Sequence, residues 1–588
     1  MPNKIGFGGD PSDIRYIDSA PLPCCARISL PLMAKKALKY LYTNPLPDKG
    51  FQCRFTFAPS CLPPIFPNKD MPPIGDLLDP IAEGDTENRN DMAFSMMREM
   101  CGDMQSGKEI EEAIHQRLIG WVKPDDGFGH HVCWNHGYSS CIQTGHLYVN
   151  PWTTGMLLHS ECLRYRRGLN DLSLASKMVK GIMDLAVRQN GHAYFPNGMA
   201  CYNEQENTGA YSDHYVPVMN ALCEYWLLTK DASCLEFLHE LAEGMVCDTN
   251  PRHLHREDGG INGHNHVNLH AIRGMAQFAY LTKNPRYIQW VKGIFDHYRR
   301  WALDNGWLPE IRDLADHSNH SETCLNADMT EIEIWLALSG YDELWDQVER
   351  DLRNYFARMQ FEVTPEFEKW YRALHADAAE QELARALEMM HELEGGFISA
   401  ATPNDYVFEI REGGNHLGAE PYGDKRISFD MMGCCPPSGM RAIYWIWKYA
   451  QFTENGITTV TLPIDSDSAA ATVQSELPER GELTITAKQN GTFHIRIPVW
   501  TSRSDVCASR NGQPIPIRFG GMSQQYVVVE NATAGEVITV RYPLIDLWQD
   551  VSITPYTQPT QHYRYHWIGN SVKSVSPAGR YLPLYPTE

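Results

Sequence analysis

The chain has 588 residues and a formal net charge of −22, because 73 acidic residues outnumber 51 basic ones. A polyanionic partner would be repelled, and no cluster of lysine and arginine relieves that repulsion. We therefore expect no nucleic acid and no anionic membrane among its partners. The apolar fraction of 43% is enough to bury large cores, and the length predicts more than one domain.

The first ten residues lack the apolar run of a secretory signal, and no later stretch is long and apolar enough to span a bilayer. We expect a soluble, cytoplasmic protein. An exported form that has lost its signal is the alternative. The 16 cysteines are dilute in a chain of this length, and most stand alone in helical patterns, so reduced and buried thiols are expected.

Residues 1–92 are rich in proline and are expected to pack on the domain that follows. They contain four cysteines without a regular Cys-x-x-Cys spacing. A second metal site and no site at all are both compatible with that pattern. The four are Cys24, Cys25, Cys53 and Cys61.

Residues 93–455 read as one helix after another, with apolar residues at helical spacing. The predicted helices lie near 151–167, 173–189, 214–229, 231–245, 268–282, 285–303, 321–338, 341–358, 377–391 and 437–453. They come in pairs, and short glycine-bearing segments stand between many of the pairs. This degenerate repeat predicts an (α/α)6 barrel, in which helical hairpins close into a ring around one pocket. An open solenoid is the alternative, but the Trp, Tyr and His residues of the loops favour a ring with a pocket.

Residues 456–588 change character. Segments such as 482–487, 492–497 and 537–542 alternate with a period of two, and turn-forming pairs such as Asn490-Gly491 separate them. The pattern predicts an antiparallel β-sandwich. It carries little obvious chemistry, so we expect it to brace the barrel.

The residues that suggest chemistry are two pairs far apart in the chain. Cys434 and Cys435 are adjacent in the motif Gly-Cys-Cys-Pro-Pro at 433–437, and Glu322 stands two residues before Cys324. Three thiols and a carboxylate are a complete ligand set for tetrahedral zinc. The prolines suit a helix start, whose positive end favours a thiolate. The other interpretation is chance, because vicinal cysteines also occur elsewhere in this chain and Glu-x-Cys is a weak pattern.

This motif, with Arg441 after it and Glu322-Thr323-Cys324 before it, resembles the signature of the β-L-arabinofuranosidase family, glycoside hydrolase family 127 and its relatives. His270-Ala271-Ile272-Arg273 is similar to that family's His-Ala-Val-Arg. Segments 495–500, 511–512, 569–572 and 582–585 are similar to its C-terminal β-domain. The resemblance covers about residues 200–588 and implies the barrel and sandwich that the pattern also predicts.

The resemblance implies a retaining exo-glycoside hydrolase that acts on a furanoside, such as a β-L-arabinofuranoside or a related unusual sugar. It implies Cys434 as the nucleophile, held as a thiolate by Zn2+. The implied zinc ligands are Glu322, Cys324, Cys434 and Cys435. Glu322 is counted among the catalytic residues as well.

A retaining mechanism also needs an acid/base. The resemblance implies a glutamate upstream of Glu322, and Glu310 is the candidate, although its local context and spacing fit the family poorly. Asp313 and Glu420 are the substitutes. A further departure is Ser438, where the family commonly has Asn after Cys-Cys-Pro-Pro.

Four histidines are expected to bind sugar hydroxyls. Each alone is compatible with a core or surface role, and a separate histidine-rich metal site is a further interpretation. The four are His214, His264, His266 and His270.

Two other functions remain open from the sequence. A lyase or epimerase acting on a uronic acid would use the same scaffold with structural zinc, and so would a non-catalytic sugar-binding protein. A catalytic site needs Cys434 to face an open pocket, whereas a structural site would bury all four ligands. The expected partner is a small-molecule or oligosaccharide substrate, and a homodimer is compatible with the sequence.

Overall fold

The computed structural model describes residues 15–17, 27–54, 56–57, 86–123, 129–133, 148–149, 151–195, 200–201, 218–247, 263–312, 318–409, 427–555 and 559–587. Its helices are α1 (Leu30–Thr43), α2 (Thr86–Cys101), α3 (Lys108–Gly120), α4 (Pro151–Arg166), α5 (Ser173–Leu185), α6 (Met219–Thr229), α7 (Ala232–Val246), α8 (Asn265–Thr282), α9 (Pro285–Arg299), α10 (Thr323–Leu338), α11 (Leu344–Asp351), α12 (Ala357–Met359), α13 (Pro365–Leu374), α14 (Glu380–Glu392) and α15 (Cys435–Ala450). A π-helical turn (Leu352–Phe356) joins α11 to α12. Every helix predicted from the sequence overlaps one of these helices.

Six helices form a closed ring in the order α2, α4, α6, α8, α10 and α15, and α15 packs back against α2. Helices α3, α5, α7, α9 and α11 each pack against the ring helix that precedes them, and α1 packs against α2 and α15. Ring helices are buried on nearly every side, as α10 is from Thr323 to Ala337, whereas outer helices such as α9 bury only one stripe. The predicted (α/α)6 barrel is confirmed.

The N-terminal region contributes more to the barrel than its proline content indicates. Helix α2 starts at Thr86 and completes the ring, and the side chains of its first two turns are polar yet buried. Apolar periodicity does not mark such a segment, so the sequence did not predict this helix. The limits of the three predicted domains stay a prediction.

Short strands lie before and between the helices of the barrel. They are β1 (Arg15–Ile17), β2 (Pro45–Leu46), β3 (Gln52–Cys53), β4 (Thr56–Phe57), β5 (Val122–Lys123), β6 (His130–Cys133), β7 (Tyr148–Val149), β8 (Val187–Gln189), β9 (His192–Tyr194), β10 (Ala200–Cys201), β11 (Gly263–His264), β12 (Ile311–Arg312), β13 (Phe408–Glu409), β14 (Ile427–Ser428) and β15 (Met431–Met432). The pairs that matter for the site are β11 with β12 and β15 with β4.

The C-terminal region is all β. Its strands are β16 (Gln451–Glu454), β17 (Ile457–Val460), β18 (Ser466–Asp467), β19 (Ala471–Ser475), β20 (Glu482–Ala487), β21 (Gly491–Arg496), β22 (Cys507–Arg510), β23 (Gln513–Pro514), β24 (Phe519–Gly520), β25 (Tyr526–Ala532), β26 (Val537–Arg541), β27 (Leu544–Ile553), β28 (Gln561–Ile568) and β29 (Ser571–Ser576).

Two sheets of this region face each other as the predicted sandwich. One has the order β16-β17-β21-β25-β24 and the other β18-β19-β20-β26-β22-β23. Their facing side chains, among them Phe493, Val527, Ile485 and Val540, form one buried cluster. The pairing is antiparallel except between β17 and β21, which run parallel.

A third sheet, β1-β27-β28-β29, belongs to the barrel instead. Its buried residues Leu547, Tyr565 and Trp567 join the hydrophobic core of the helices. The end of the chain therefore returns to the barrel, which supports the expectation that the β region braces it. Among the described helices, none combines the length and apolar character needed to cross a bilayer.

A cluster of buried polar and charged side chains links α2, α3 and α4. The buried His115 of α3 lies with Nδ1 3.0 Å from Asp91 Oδ2 and Nε2 3.2 Å from Glu161 Oε1. Ser160 donates a hydrogen bond of 2.6 Å to the same Asp91 oxygen. Burial lowers the pKa of His115, but the charge and hydrogen bond of Asp91 and the bond to Glu161 outweigh burial and raise it to about 9.

This cluster predicts a pH-dependent contribution to stability. Because the folded-state pKa of His115 is above the unfolded value, its contribution is fully present below about pH 6.5 and is lost as the pH rises through about 9. His115→Gln should therefore lower the free energy of unfolding by roughly 2 to 3 kcal/mol at pH 6 and by less at pH 9. Urea denaturation of both proteins across this range measures the difference, and a difference that stays constant with pH would contradict the argument.

Candidate metal and catalytic site

The structure brings Cys434 and Cys435 next to Glu322 and Cys324, which are far away in the sequence. The ligand atoms of Glu322, Cys324, Cys434 and Cys435 all lie within 4.8 Å of one another. Cys435 Sγ is 3.3 Å from Cys324 Sγ, 3.9 Å from Cys434 Sγ and 3.9 Å from Glu322 Oε1. All four residues are buried, and the three cysteines are free thiols.

This geometry is close to that of a metal-binding tetrahedron. Zinc with Zn–S bonds of about 2.3 Å holds two sulfur ligands about 3.8 Å apart. The Cys434–Cys435 separation of 3.9 Å agrees with that value, and the Cys324–Cys435 separation of 3.3 Å is somewhat shorter. Cysteine sulfur and carboxylate oxygen are both ligands that zinc takes in proteins, so this donor set fits zinc. The cluster can therefore hold a metal ion.

One short segment, residues 397–401, joins the two halves of the cluster. Thr323 N donates to Ser399 O at 2.7 Å at the start of α10, and Ser399 N donates to Asp430 O at 2.9 Å just before β15. Gly439 lets α15 approach this segment, because a Cβ at that position would lie 2.4 Å from Cγ of Phe397. Backbone bonds and one close contact thus set the distance between the Glu322 side and the Cys434 side.

The two adjacent cysteines have different surroundings. Cys434 is the N-cap residue of α15 and is 8% exposed, whereas Cys435 and Cys324 are 0% exposed. Hydrogen bonds from the Cys324 and Cys435 thiols outweigh burial and lower the pKa of Cys434 to about 6. Burial raises the pKa of Cys435 well above its usual value and that of Cys324 to about 11. Cys434 is thus the thiol that most readily becomes a thiolate, and it is the least buried of the three.

Glu310 lies just before β12 and is held on the same side of the barrel. Its amide donates to His320 O at 3.0 Å, and its carbonyl accepts from Asn265 N at the start of α8 at 3.0 Å. Its Oε2 lies 2.5 Å from His320 Nε2. The His320 ring is stacked on Phe408 with a centroid distance of 4.2 Å. The carboxyl group of Glu310 is therefore fixed by a histidine two residues before the predicted ligand Glu322.

A second carboxyl group, Asp430, was missed in the sequence. Burial, together with the charges of Glu310 and Glu322, raises its pKa to about 7, against the lowering effect of His320. Its Oδ1 is buried without a hydrogen-bond partner among the described residues. No motif marks Asp430, so only the fold identifies it. The predicted substitutes Asp313 and Glu420 lie outside the described residues.

Two of the four predicted substrate-binding histidines lie in a buried ionic layer next to the thiols. His266 Nδ1 is 2.7 Å from Asp328 Oδ2, and its Nε2 is 3.3 Å from Arg89 Nη2. An arginine can only donate, so Nε2 accepts and Nδ1 carries the proton that is donated to Asp328. Both ring nitrogens of His266 are thereby engaged within the protein.

His270 has the same arrangement one turn further along α8. Its Nδ1 lies 3.0 Å from Asp328 Oδ1, and its Nε2 lies 3.1 Å from Arg273 Nη2. Burial and the nearby charge of Arg273 hold the pKa of His270 well below its usual value. A neutral ring that donates to Asp328 and accepts from Arg273 fits both observations.

The layer contains two further charged residues. Arg441 Nη2 lies 2.6 Å from Asp328 Oδ1, and Arg441 Nη1 lies 2.9 Å from Glu331 Oε1. Arg273 Nη1 also lies 3.0 Å from Glu331. Arginines occupy the positions where a second metal would bind His266, His270 and Asp328, so the layer is better described as an ion network than as a metal site.

The remaining predicted residues are two histidines and the N-terminal cysteines. His214 lies outside the described residues, and His264 is described only as part of β11. Among the N-terminal cysteines, Cys53 is buried and accepts a hydrogen bond from Asn90 at 3.1 Å, while Cys24, Cys25 and Cys61 lie outside the described residues. The substrate-binding role of the histidines stays a prediction.

No protein-family model matches the chain, and no curated protein matches it in sequence. Solved structures do match. A GH127 β-L-arabinofuranosidase from Geobacillus stearothermophilus T6 has a TM-score of 0.56 at 14% identity, covering 83% of this chain and 77% of its own. A second GH127 β-arabinofuranosidase has a TM-score of 0.53 at 14% identity, covering 95% and 85%.

A further structure described as a glycoside hydrolase has a TM-score of 0.55 at 12% identity, covering 96% of this chain and 84% of that one. At these identities the comparisons establish the fold. They agree with the resemblance seen in the sequence, which rests on the cysteine motif. The chain therefore has the fold of the β-L-arabinofuranosidases of glycoside hydrolase family 127.

Proposed function

We propose that the protein is a retaining exo-glycoside hydrolase that cleaves a furanoside, such as a β-L-arabinofuranoside or a related sugar, with a zinc-bound cysteine as its nucleophile. The observation that carries the proposal is the buried cluster of Glu322, Cys324, Cys434 and Cys435 at the start of two ring helices. The fold shared with GH127 β-L-arabinofuranosidases supports it. All four ligand residues are buried, as they would be in a structural site, and Cys434 is the least buried of the three thiols at 8% exposed.

The cluster suits a nucleophile because the thiol of Cys434 is the most acidic of the three. Zinc bound there supplies the charge that keeps the thiolate at neutral pH. In the first step Cys434 Sγ bonds to the anomeric carbon while the bond from that carbon to the leaving oxygen breaks. In the second step water replaces the sulfur, and two inversions give net retention.

Glu310 is the proposed acid/base. It gives a proton to the leaving oxygen in the first step and takes a proton from water in the second. The hydrogen bond between His320 Nε2 and Glu310 Oε2 holds the carboxyl group in one orientation. Asp430 is the competing candidate, because its pKa of about 7 leaves a protonated carboxyl available near neutral pH.

A lyase or epimerase working through histidine is less well supported. Both ring nitrogens of His266 and of His270 are bonded to Asp328 or to an arginine, so neither is placed to take a proton from a substrate. In such an enzyme the thiol cluster would hold only a structural zinc ion. A hydrolase uses both the cluster and Glu310.

We further propose that the enzyme works in a reducing compartment, the cytoplasm, on a small glycoside or the end of an oligosaccharide. Three thiols with Sγ atoms as close as 3.3 Å would be liable to oxidation elsewhere. A homodimer stays a prediction from the sequence.

The first test concerns the metal. The purified protein should contain one zinc ion per chain, and Cys324→Ala should lose most of it because one of four ligands is removed. Metal analysis by mass spectrometry measures both. Cys507→Ala is the matched control, since Cys507 is exposed on the sandwich and far from the cluster in the fold. Unchanged zinc in Cys324→Ala would count against the ligand set.

The second test concerns the reaction. A screen of aryl glycosides, with NMR spectroscopy of the first product formed, should find a furanoside that is cleaved with retained anomeric configuration. Cys434→Ser should abolish this cleavage and leave the circular dichroism spectrum unchanged. An inverted product, or full activity in Cys434→Ser, would reject the cysteine nucleophile.

The third test separates the two candidate acids. Glu310→Gln should lose roughly 10²- to 10⁴-fold in rate on an alkyl glycoside but far less on a dinitrophenyl glycoside, whose leaving group needs no proton. Azide should partly restore turnover and give a glycosyl azide of retained configuration. Asp430→Asn should show neither behaviour. If the two variants exchange these properties, Asp430 is the acid/base and Glu310 is not.

A further inference from the structure

We propose that Arg89, on α2, is a positioning residue that holds the Cys434 end of α15 in register with the helices that carry the other cluster residues. Arg89 is buried beneath the cluster and bonds to residues on two other ring helices. The proposal rests on the function proposed above for the cluster. It assigns a role to the polar N-terminal turn of α2, which the sequence did not mark.

The first contact of Arg89 leads directly to Cys434. Arg89 Nη1 donates to Ser438 Oγ at 3.0 Å, and Ser438 Oγ donates to the carbonyl oxygen of Cys434 at 2.9 Å. The Ser438 hydroxyl group thus accepts a hydrogen bond from Arg89 and donates one to the backbone of Cys434, the proposed nucleophile. The Cys434 carbonyl also accepts from Ser438 N at 3.3 Å, so it is fixed at the first turn of α15.

The second contact leads to α10, which carries Cys324. Arg89 Nη2 lies 3.3 Å from His266 Nε2, and His266 donates to Asp328. Asp328 is one helical turn after Cys324 on the same face of α10. Asp328 is also bonded to Arg441, on α15, by 2.6 Å.

These contacts close a loop of bonds that passes from Cys434 through Ser438, Arg89, His266, Asp328 and Arg441 back to α15. The loop joins α2, α8, α10 and α15 one turn beneath the thiols. A shift of α15 by even part of a turn would break several of its bonds. Arg89 is the only member of this loop on α2, and its Cζ lies 5.6 Å from the centre of the Trp152 ring on α4. Arg89 therefore contacts both neighbours of α2 in the ring, α15 through Ser438 and α4 through Trp152.

The hydroxyl group of Ser438 forms both hydrogen bonds that link Arg89 to Cys434, so replacing this one residue tests the arrangement. Ser438→Ala removes the link with little change in volume. Arg89→Gln removes the donor from the other end. If both act through one chain of bonds, their effects should not add.

The experiment measures which thiol reacts. The full-length protein, as purified, is treated with iodoacetamide, and the labelling of Cys434 relative to Cys435 is followed by mass spectrometry. The wild type should label Cys434 first, because Cys435 and Cys324 are wholly buried. Arg89→Gln and Ser438→Ala should each reduce this ratio by about three- to tenfold, the effect of one hydrogen bond, and the double variant should match the larger single effect.

The matched control is Arg98→Gln on the same helix. Arg98 is equally buried, but it pairs with Glu111 of α3 at 2.6 Å, away from the cluster. This variant should lower the melting temperature and leave the labelling ratio unchanged. A merely structural Arg89 would behave in the same way as Arg98.

Three outcomes overturn the proposal: an unchanged ratio in Ser438→Ala, a ratio in Arg89→Gln equal to that in Arg98→Gln, or multiplied effects in the double variant. Ser438→Ala decides the matter if Arg89→Gln fails to fold. The zinc content of the same samples tests the proposed metal site separately. A wild type without zinc would contradict that site, while the labelling ratio would still decide the role of Arg89.

Discussion

The arrangement of the site depends on the contacts of one carboxylate, that of Asp328. It is completely buried, and it meets His266 and His270 of α8 and Arg441 of α15. Burial raises the pKa of Asp328, but its neighbours His270 and Arg441 outweigh burial and hold it well below the usual value. One charged group therefore connects three adjacent helices of the ring.

Such a network is costly to break and adds little net stability. Two buried charges lose much of their attraction to the desolvation that burial requires, whereas removing one partner of a buried pair costs roughly 3 to 5 kcal/mol. The role of this network is to fix the register between neighbouring helices of the ring. Apolar helix surfaces tolerate sliding, but Asp328 binds its partners in one alignment only, and that alignment sets Cys324 of α10 beside Cys435 of α15 at 3.3 Å.

The sequence predicted the elements whose signals are local. Apolar periodicity identified helices such as α4, α8, α9 and α10, and the Cys434–Cys435 motif identified the start of α15. It did not reveal α2, whose buried first turns are polar, because their partners lie far away in the chain: Arg89 bonds to Ser438 and lies beside His266. Arg496 is a similar case, since it looks like an outward residue of β21 but is buried against Asp346 and Glu349 of α11. Charged residues satisfied by long-range partners have no periodic pattern to detect.

The position of the cluster also reconciles an acidic protein with a site that needs thiolates. The net charge of −22 would by itself oppose further negative charge. Yet Cys434, Cys324, His266 and Arg89 all lie at or near the first turns of ring helices, where backbone amides give a positive potential. The buried guanidinium of Arg89 adds to that potential, and its charge lowers the pKa of Cys434 after the hydrogen bonds from Cys324 and Cys435. The hydrogen bonds from the neighbouring thiols thus contribute most to the lowered pKa of Cys434, and Arg89 adds to them against the opposing charge of Glu322. These groups act within a few ångströms, whereas the surface charges are screened by water.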